Sequence, residues 1–420
     1  MNNNIKVLVT GADQHQGLAV IRGLGIEGIP VIACGAEPRS LGFYSKYAVD
    51  RFVYTNPWVS KSGFIRDIVP IIKKTNPGLI IPSVDSTLVA LDECREEFEP
   101  YACLAAPCSE VLAYAYDKCK TLQLAQCLDV PAPATVRGDT LEEILEKATS
   151  LRFPVAIKPR GHQLYAPTAH TMDFKSRYAR NLTELKEVLE PLGEQSAVVL
   201  VQECVSGIGV CVSAVFNHGD PVAMFPYVRV REVPLSGGVS VLRESVKLDE
   251  RLRRYVTALL KEIKWHGVAM VEFKYDERCD SYTLMEINGR FQASTALSLD
   301  AGLNLPYLVA CLYGGWEIKG SRHYKIGIRE RWLSGDILAL HGHLTGTSTR
   351  PTRSNPRFLL PPKGRVIWDF VKDFRPGTKY DEFKLFDWKP GIVECWALIR
   401  LVGQLIRSLV GTVARSLGIL

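Results

Sequence analysis

Two short segments carry the densest chemistry in the sequence: Val271-Glu272-Phe273-Lys274 and Met285-Glu286-Ile287-Asn288-Gly289-Arg290. Side chains alternate across a strand, so Glu272 and Lys274 share a face, as do Glu286, Asn288 and Arg290. The apolar Val271, Phe273, Met285 and Ile287 take the opposite face. If the two strands form a hairpin, two carboxylates, an amide oxygen, an ammonium and a guanidinium converge. Two carboxylates and an amide make an all-oxygen ligand set, which suits Mg²⁺ held together with phosphates. Zinc is disfavoured because no His or Cys sits there. A solvated strand face with ordinary charge pairs is the plainer reading of either segment alone, but it does not account for the shared apolar face.

These strands need a frame, and 420 residues at 47% hydrophobic and 23% charged allow about two to four globular domains. Mean hydropathy is +0.03, and the apolar fraction excludes global disorder. Residues 5–10 read as a strand, Gly11-Ala12-Asp13 as a turn, Leu18–Leu24 as helix and Ile29–Ala33 as a second strand. That order is a parallel βαβ unit. Further strands at 51–54, 79–82 and 102–104, with helices at 61–75 and 86–97, extend it into an open α/β layer. A helix opens at Asp117-Lys118, and Val130–Thr135 is an extended proline-rich link. A small α+β unit follows, with helices at 140–149 and 182–190, strands at 155–159 and 197–202, and a polar loop at 160–171. A larger unit has strands at 210–216, 222–230, 268–275 and 281–287 around a helix at 249–263. Helices at 306–313 and 331–340 lead out, and 345–365 reads as a surface linker.

The ordered set of Asp117-Lys118, Lys158 in Val-Ala-Ile-Lys-Pro, the segment Val199–Gly207, Glu272 and Glu286-x-Asn288-x-Arg290 resembles the ATP-grasp superfamily, in particular carboxylate–amine ligases and carboligase-like members. The resemblance covers about 1–330. It implies an α/β and α+β chain with an N-terminal open parallel pre-ATP-grasp domain at 1–113. A linker helix and small lid subdomain would fill 114–206, a large catalytic subdomain 207–330, and a C-terminal extension with an amphipathic helix 331–420. It implies that Lys118 and Lys158 neutralise ATP phosphates. Backbone groups of Glu203 and Val205 would meet the adenine edge, with Gln202 reading its amino group. Glu272, Glu286 and Asn288 would hold two Mg²⁺, with Mn²⁺ as a substitute. Arg290, with Lys274 beside it, would be the catalytic cation. Gln202 stands where many members carry Glu, the ribose contact has no acidic residue after the hinge, and the loop 160–166 has one glycine where family loops have several.

Substrate contacts are expected from Arg229 and Arg231 on one strand face, from a backbone anion site at Gly237-Gly238, and from Ser83 and Asp85 at a strand end. Asp13, His15 and Gln16 lie at another strand end, where α/β sheets bind ligands. The expected reaction activates a carboxylate as an acyl phosphate for attack by an amine, releasing ADP and phosphate. A nucleotide-binding regulatory module is one alternative. A nicotinamide oxidoreductase is another, disfavoured because Gly11 and Gly17 do not form Gly-x-Gly-x-x-Gly and no acid closes the second strand.

The formal net charge of +6 is unevenly placed. Residues 350–420 hold 13 Lys and Arg against 6 Asp and Glu, whereas the rest of the chain is near neutral. This argues against a body that coats nucleic acid. From Ile392 onward, Arg400, Gln404, Arg407 and Arg415 project to one helical arc. Trp396, Ile399, Val402, Leu405 and others take the remaining side. That pattern suits a helix lying on an anionic membrane surface over 392–420, or one packed on the body or in a homodimer. The eleven cysteines form no metal motif, and the N-terminus lacks a secretory signal, so reduced thiols and a cytoplasmic location, or a peripheral one at the cytoplasmic face of a membrane, are expected.

Overall fold

The structure, a computed structural model, describes residues 5–161, 176–193, 199–235, 237–320, 322–346 and 361–416. Three sheets organise it. The first has β1 (Val7–Thr10), β2 (Val31–Gly35), β3 (Ala48–Val53), β4 (Gly78–Pro82) and β5 (Ala102–Leu104) in the order β3-β2-β1-β4-β5. All of its pairings are parallel. β1 and β2 are buried along their whole length, as continuous apolar runs are when helices cover both faces. The helix His15–Ile26 closes tightly on the end of β1. A Cβ on Gly17 would lie 2.0 Å from the Gly11 carbonyl oxygen, and Gly11 itself sits at φ +75°.

The second sheet is antiparallel, with β6 (Thr135–Val136), β7 (Val155–Pro159), β8 (Arg177–Ala179) and β9 (Val199–Glu203) in the order β6-β9-β7-β8. The helices Leu141–Ala148 and Leu182–Leu189 bury Ile144, Leu185 and Leu189 against Val155, Ile157 and Val201. From residue 162 to 175 the expected polar loop lies outside the described residues.

The third sheet has seven strands: β10 (Ile208–Asn217), β11 (Asp220–Val233), β12 (Val239–Ser245), β13 (Gly267–Asp276), β14 (Ser281–Asn288), β15 (Arg329–Arg331) and β16 (Lys379–Tyr380). Their order is β14-β13-β10-β11-β12-β15-β16. Alternation along β10 sends Val210, Val212, Ala214 and Phe216 into one core with Leu252, Val256 and Leu259 of the helix Glu250–Glu262. Cys211 and Val215 enter a second core with Leu305, Leu308 and Val309.

Two expectations change here. The boundary placed at 330 falls inside β15, and β16 extends the same sheet. Residues 363–372, partly assigned to a linker, form a helix that starts after Pro361-Pro362. Its buried side is only Val366, and its apolar Ile367, Trp368 and Val371 are exposed. Residues 347–360 of that linker lie outside the described residues.

Candidate active site

β13 and β14 pair antiparallel with Glu272 directly opposite Glu286. The register slips just beyond them, because Phe273 faces Leu284 and Met285 is an extra residue on β14. The strict alternation expected for Met285 is therefore wrong. Leu284 and Ile287, three apart, both point into the core, as a bulge requires.

Glu272 is 9% exposed. Burial pushes its pKa up to about 7; Arg229 pulls it down and Glu286 adds to the rise. Glu286 moves the other way. Burial raises it, but Lys118 and the Asn288 amide, whose Nδ2 donates to Oε1 at 3.0 Å, hold it below the ordinary carboxylate range. Lys158 is pulled down by burial and supported by Glu286 and Glu272. The structure therefore brings Lys118, Lys158, Glu272, Glu286 and Asn288 into one electrostatic cluster.

Arg229 joins them from β11. Its Nη2 donates to Glu272, and its Nη1 donates to Glu232 at 3.0 Å and to the Gly238 carbonyl at 3.3 Å. It reaches across the intervening strand over Gly209, where a Cβ would lie 2.9 Å from the arginine Cδ. The sequence suggests a substrate face for Arg229; its bond to a candidate metal ligand escapes sequence reasoning, since only the β11-β10-β13 order reveals it.

Lys158 is fixed by its neighbour strand. Its Nζ donates to Gln202 Oε1 at 2.9 Å, and Gln202 Nε2 donates to Thr135 Oγ1 at 3.0 Å. The Gln202 amide is thus engaged within the protein rather than directed at an adenine amino group. The Glu203 N–H donates to the Ala134 carbonyl at 2.9 Å, and Oε1 accepts from the Arg152 N–H at 2.8 Å. Val205 follows on the loop after β9. Lys118 begins the helix Lys118–Cys127, capped by Asp117, which accepts from the Cys119 N–H at 2.9 Å. Arg160 grips the same Asp117 through Nε and Nη2. The base of the polar loop is thereby tied to the helix that carries Lys118.

Arg290 turns to the first domain. Its Nε donates to Asp85 Oδ2 at 2.6 Å. Asp85 also lines a cavity of about 240 Å³ at the strand ends of the first sheet, with Asp13, Tyr54, Asn56 and Trp58. That cavity meets the hairpin through the Asp85–Arg290 pair.

Several other candidates lie at the edge of this cluster or make their bonds elsewhere. Ser83 is fully buried and donates to the Thr10 carbonyl at 2.6 Å. Arg231 is separated from Arg229 by a bulge and is bound by Asp336 and Asp373 at 2.6–2.9 Å. Gly237 and Gly238 form the turn between β11 and β12, with the Gly237 N–H on the Pro234 carbonyl. Lys274 points to the Gly207 carbonyl at 3.4 Å.

His15 meets the C-terminal segment, with Nδ1 3.0 Å from Glu382 Oε1 and its ring 5.1 Å from that of Trp332. Asp381 lies close enough to make a ligand-like trio, but both its oxygens accept from Arg243. At the first strand end the Gly11 N–H donates to Tyr54 Oη and the Ala12 N–H to the Cys34 carbonyl, both at 2.9 Å. Donors that a dinucleotide pyrophosphate would need are therefore already engaged.

Residues 195–335 match the family described as ATP-grasp in the biosynthetic pathway with Ter operon. The chain matches no curated protein. Among solved structures it is similar to a biotin carboxylase–β,γ-ATP complex from Campylobacter jejuni, with 17% identity over 78% of this chain and 75% of that chain and a TM-score of 0.62. It is similar to an L-amino acid ligase from Bacillus licheniformis, with 14% identity over 74% of this chain and 75% of that one and a TM-score of 0.57. It is also similar to N5-carboxyaminoimidazole ribonucleotide synthetase from Thermus thermophilus, with 15% identity, 76% and 80% coverage and a TM-score of 0.57. The chain thus has the ATP-grasp fold, and its residues 195–335 match an ATP-grasp family.

Proposed function

We propose that this chain is an ATP- and Mg²⁺-dependent ligase that activates a small-molecule carboxylate for attack by an amine, with release of ADP and phosphate. The observation that supports it best is the pair Glu272 and Glu286, directly opposite and mostly buried, beside two lysines and an asparagine. Two buried carboxylates facing each other repel, and a divalent cation would relieve that repulsion. The donor set is all oxygen, so the residues fit Mg²⁺, with Mn²⁺ as a substitute.

When bound, the metal would neutralise charge on the β- and γ-phosphates. Glu272, Glu286 and Asn288 would hold it. Lys118, at the first turn of its helix, and Lys158, braced by Gln202, would bind phosphate oxygens as point charges. The Glu203 carbonyl and Val205 N–H would take the adenine edge. Arg290, held by Asp85, would orient the transferring phosphoryl group and face the substrate cavity at the first sheet. Activation before condensation splits one difficult step into two easier ones.

A cytoplasmic site of action is part of this reading, in keeping with eleven cysteines of which none is joined in a disulfide among the described residues. ADP and phosphate release, screened over amino acids, peptides and sugar acids, tests the proposal. Release that requires both a carboxylate and an amine is expected. Nucleotide binding with no acid-dependent release would favour a regulatory module instead.

A further inference from the structure

Charges in the C-terminal segment are sorted by direction. Residues 361–416 contain six acids. Four of them, Asp373, Asp381, Glu382 and Asp387, are buried. They face the body, where Arg231, Arg243, His15 and Arg22 receive them. The other two are half-buried: Asp369 accepts from Arg365, and Glu394 is bonded to Ser334. Among the described side chains of this segment no acid is exposed, whereas eight lysines and arginines are.

The same surface carries apolar side chains that the fold leaves uncovered. Ten of the 22 exposed large hydrophobic residues among the described side chains fall between 367 and 399. Trp368 is 64% exposed, Leu385 98%, Trp388 56%, Trp396 63% and Ile399 62%. They come from three places: the helix Lys363–Lys372, the turn around Asp387, and the helix Lys389–Ser416. An outward surface of tryptophan and aliphatic side chains with predominantly positive charge matches the interface between lipid acyl chains and anionic headgroups. A second copy of this chain is a poor occupant, because two such surfaces would bring like charges together. No described helix is long and apolar enough to cross a membrane.

We infer that residues 363–407 form a docking platform for an anionic lipid surface. The platform involves both terminal helices and the turn between them, and goes beyond the last helix alone. It is rigidly oriented. Asp387 accepts from Arg22, Ser45 and the Lys46 N–H at 2.8–2.9 Å, so docking would fix the orientation of the first domain as well.

The test is co-sedimentation of the full chain with vesicles of phosphatidylcholine and phosphatidylglycerol in equal parts, and with phosphatidylcholine alone. Binding to the anionic vesicles, weakened by salt, is expected. The double variant Trp368→Ser, Trp396→Ser should lower partition by about tenfold, and Arg400→Glu by about fivefold, with the thermal midpoint and nucleotide binding unchanged. Failure to sediment with anionic vesicles would overturn the proposal. So would sedimentation that ignores the Trp variants, a dimer that those variants dissociate, or a preference for oligonucleotide over anionic vesicles.

Discussion

Glu272 and Glu286 face each other across one antiparallel pair, yet their surroundings split them. Glu272 is pushed up to a pKa of about 7, while Glu286 is held below the ordinary carboxylate range. The split arises from position. Lys118 and the Asn288 amide serve Glu286, whereas Glu272 relies chiefly on Arg229, reaching over Gly209, with a smaller pull from Lys274.

Glu286 is thus the more acidic member of the pair. Replacing it by Ala should cut acid-dependent ADP release by at least about a hundredfold, the scale of losing a principal electrostatic contact in a transition state. Its side chain is not part of a hydrophobic core, so circular dichroism and the thermal midpoint should stay close to wild type. Near-normal turnover would remove the metal assignment.

Lys158 should act on binding. The Lys158→Ala change removes a buried ammonium next to the carboxylate pair, and charge-assisted contacts of this kind contribute about 1.5–3 kcal/mol. Nucleotide affinity measured by calorimetry should fall by roughly tenfold to a hundredfold. An unchanged affinity would take Lys158 out of the phosphate site.

Asp85 should behave as a positioning residue. It touches Arg290 from a different domain, and the Asp85→Ala change would leave that guanidinium without its carboxylate. Displacement of a reacting group by about 1 Å costs on the order of a hundredfold in rate. We expect kcat to drop on that scale, KM for ATP to hold, and Asp85→Glu to restore part of kcat. A change confined to stability would indicate an ordinary structural ion pair.

His15 couples the C-terminal segment to pH. Burial lowers its pKa, but Glu382 outweighs this and leaves it above the ordinary 6.5. Glu382 is raised as well, chiefly by burial. A raised folded-state pKa stabilises the fold fully below the unfolded value, and that stability is lost as pH rises through the raised value. For His15 this window opens at about 6.5 and extends upward. Thermal midpoints followed from about pH 5 to 8 should decline faster with pH in the wild type than in His15→Gln. Parallel slopes would show that the pair does not titrate in this way.

Much of the site was legible because its chemistry lies close in sequence. Glu272, Glu286 and Asn288 sit on adjacent strands, with Arg290 just past the second, and Lys158 interrupts an apolar strand, whereas the bulge at Met285 escapes simple alternation. What was hidden depends on strands meeting out of order. Arg229 meets Glu272 only because β10 lies between their strands. Gln202 braces Lys158 only because β7 and β9 are neighbours. Arg231 looked equivalent to Arg229 until a bulge turned it toward Asp336 and Asp373. The tail misled in another way: a basic composition described its outside, while the acids that anchor it are individually unremarkable in the sequence.

The bond between Arg22 and Asp387 spans 365 residues. Arg22 is 2% exposed, on the helix that follows the first strand. A growing chain emerging from the ribosome makes that helix before Asp387, so its buried guanidinium lacks this counter-charge until the C-terminal segment has been synthesised. Domains usually mature in the order of their synthesis. Here the first domain reaches its final state only when the segment carrying Asp381, Glu382 and Asp387 arrives, so its maturation waits for residues 365 positions downstream of Arg22.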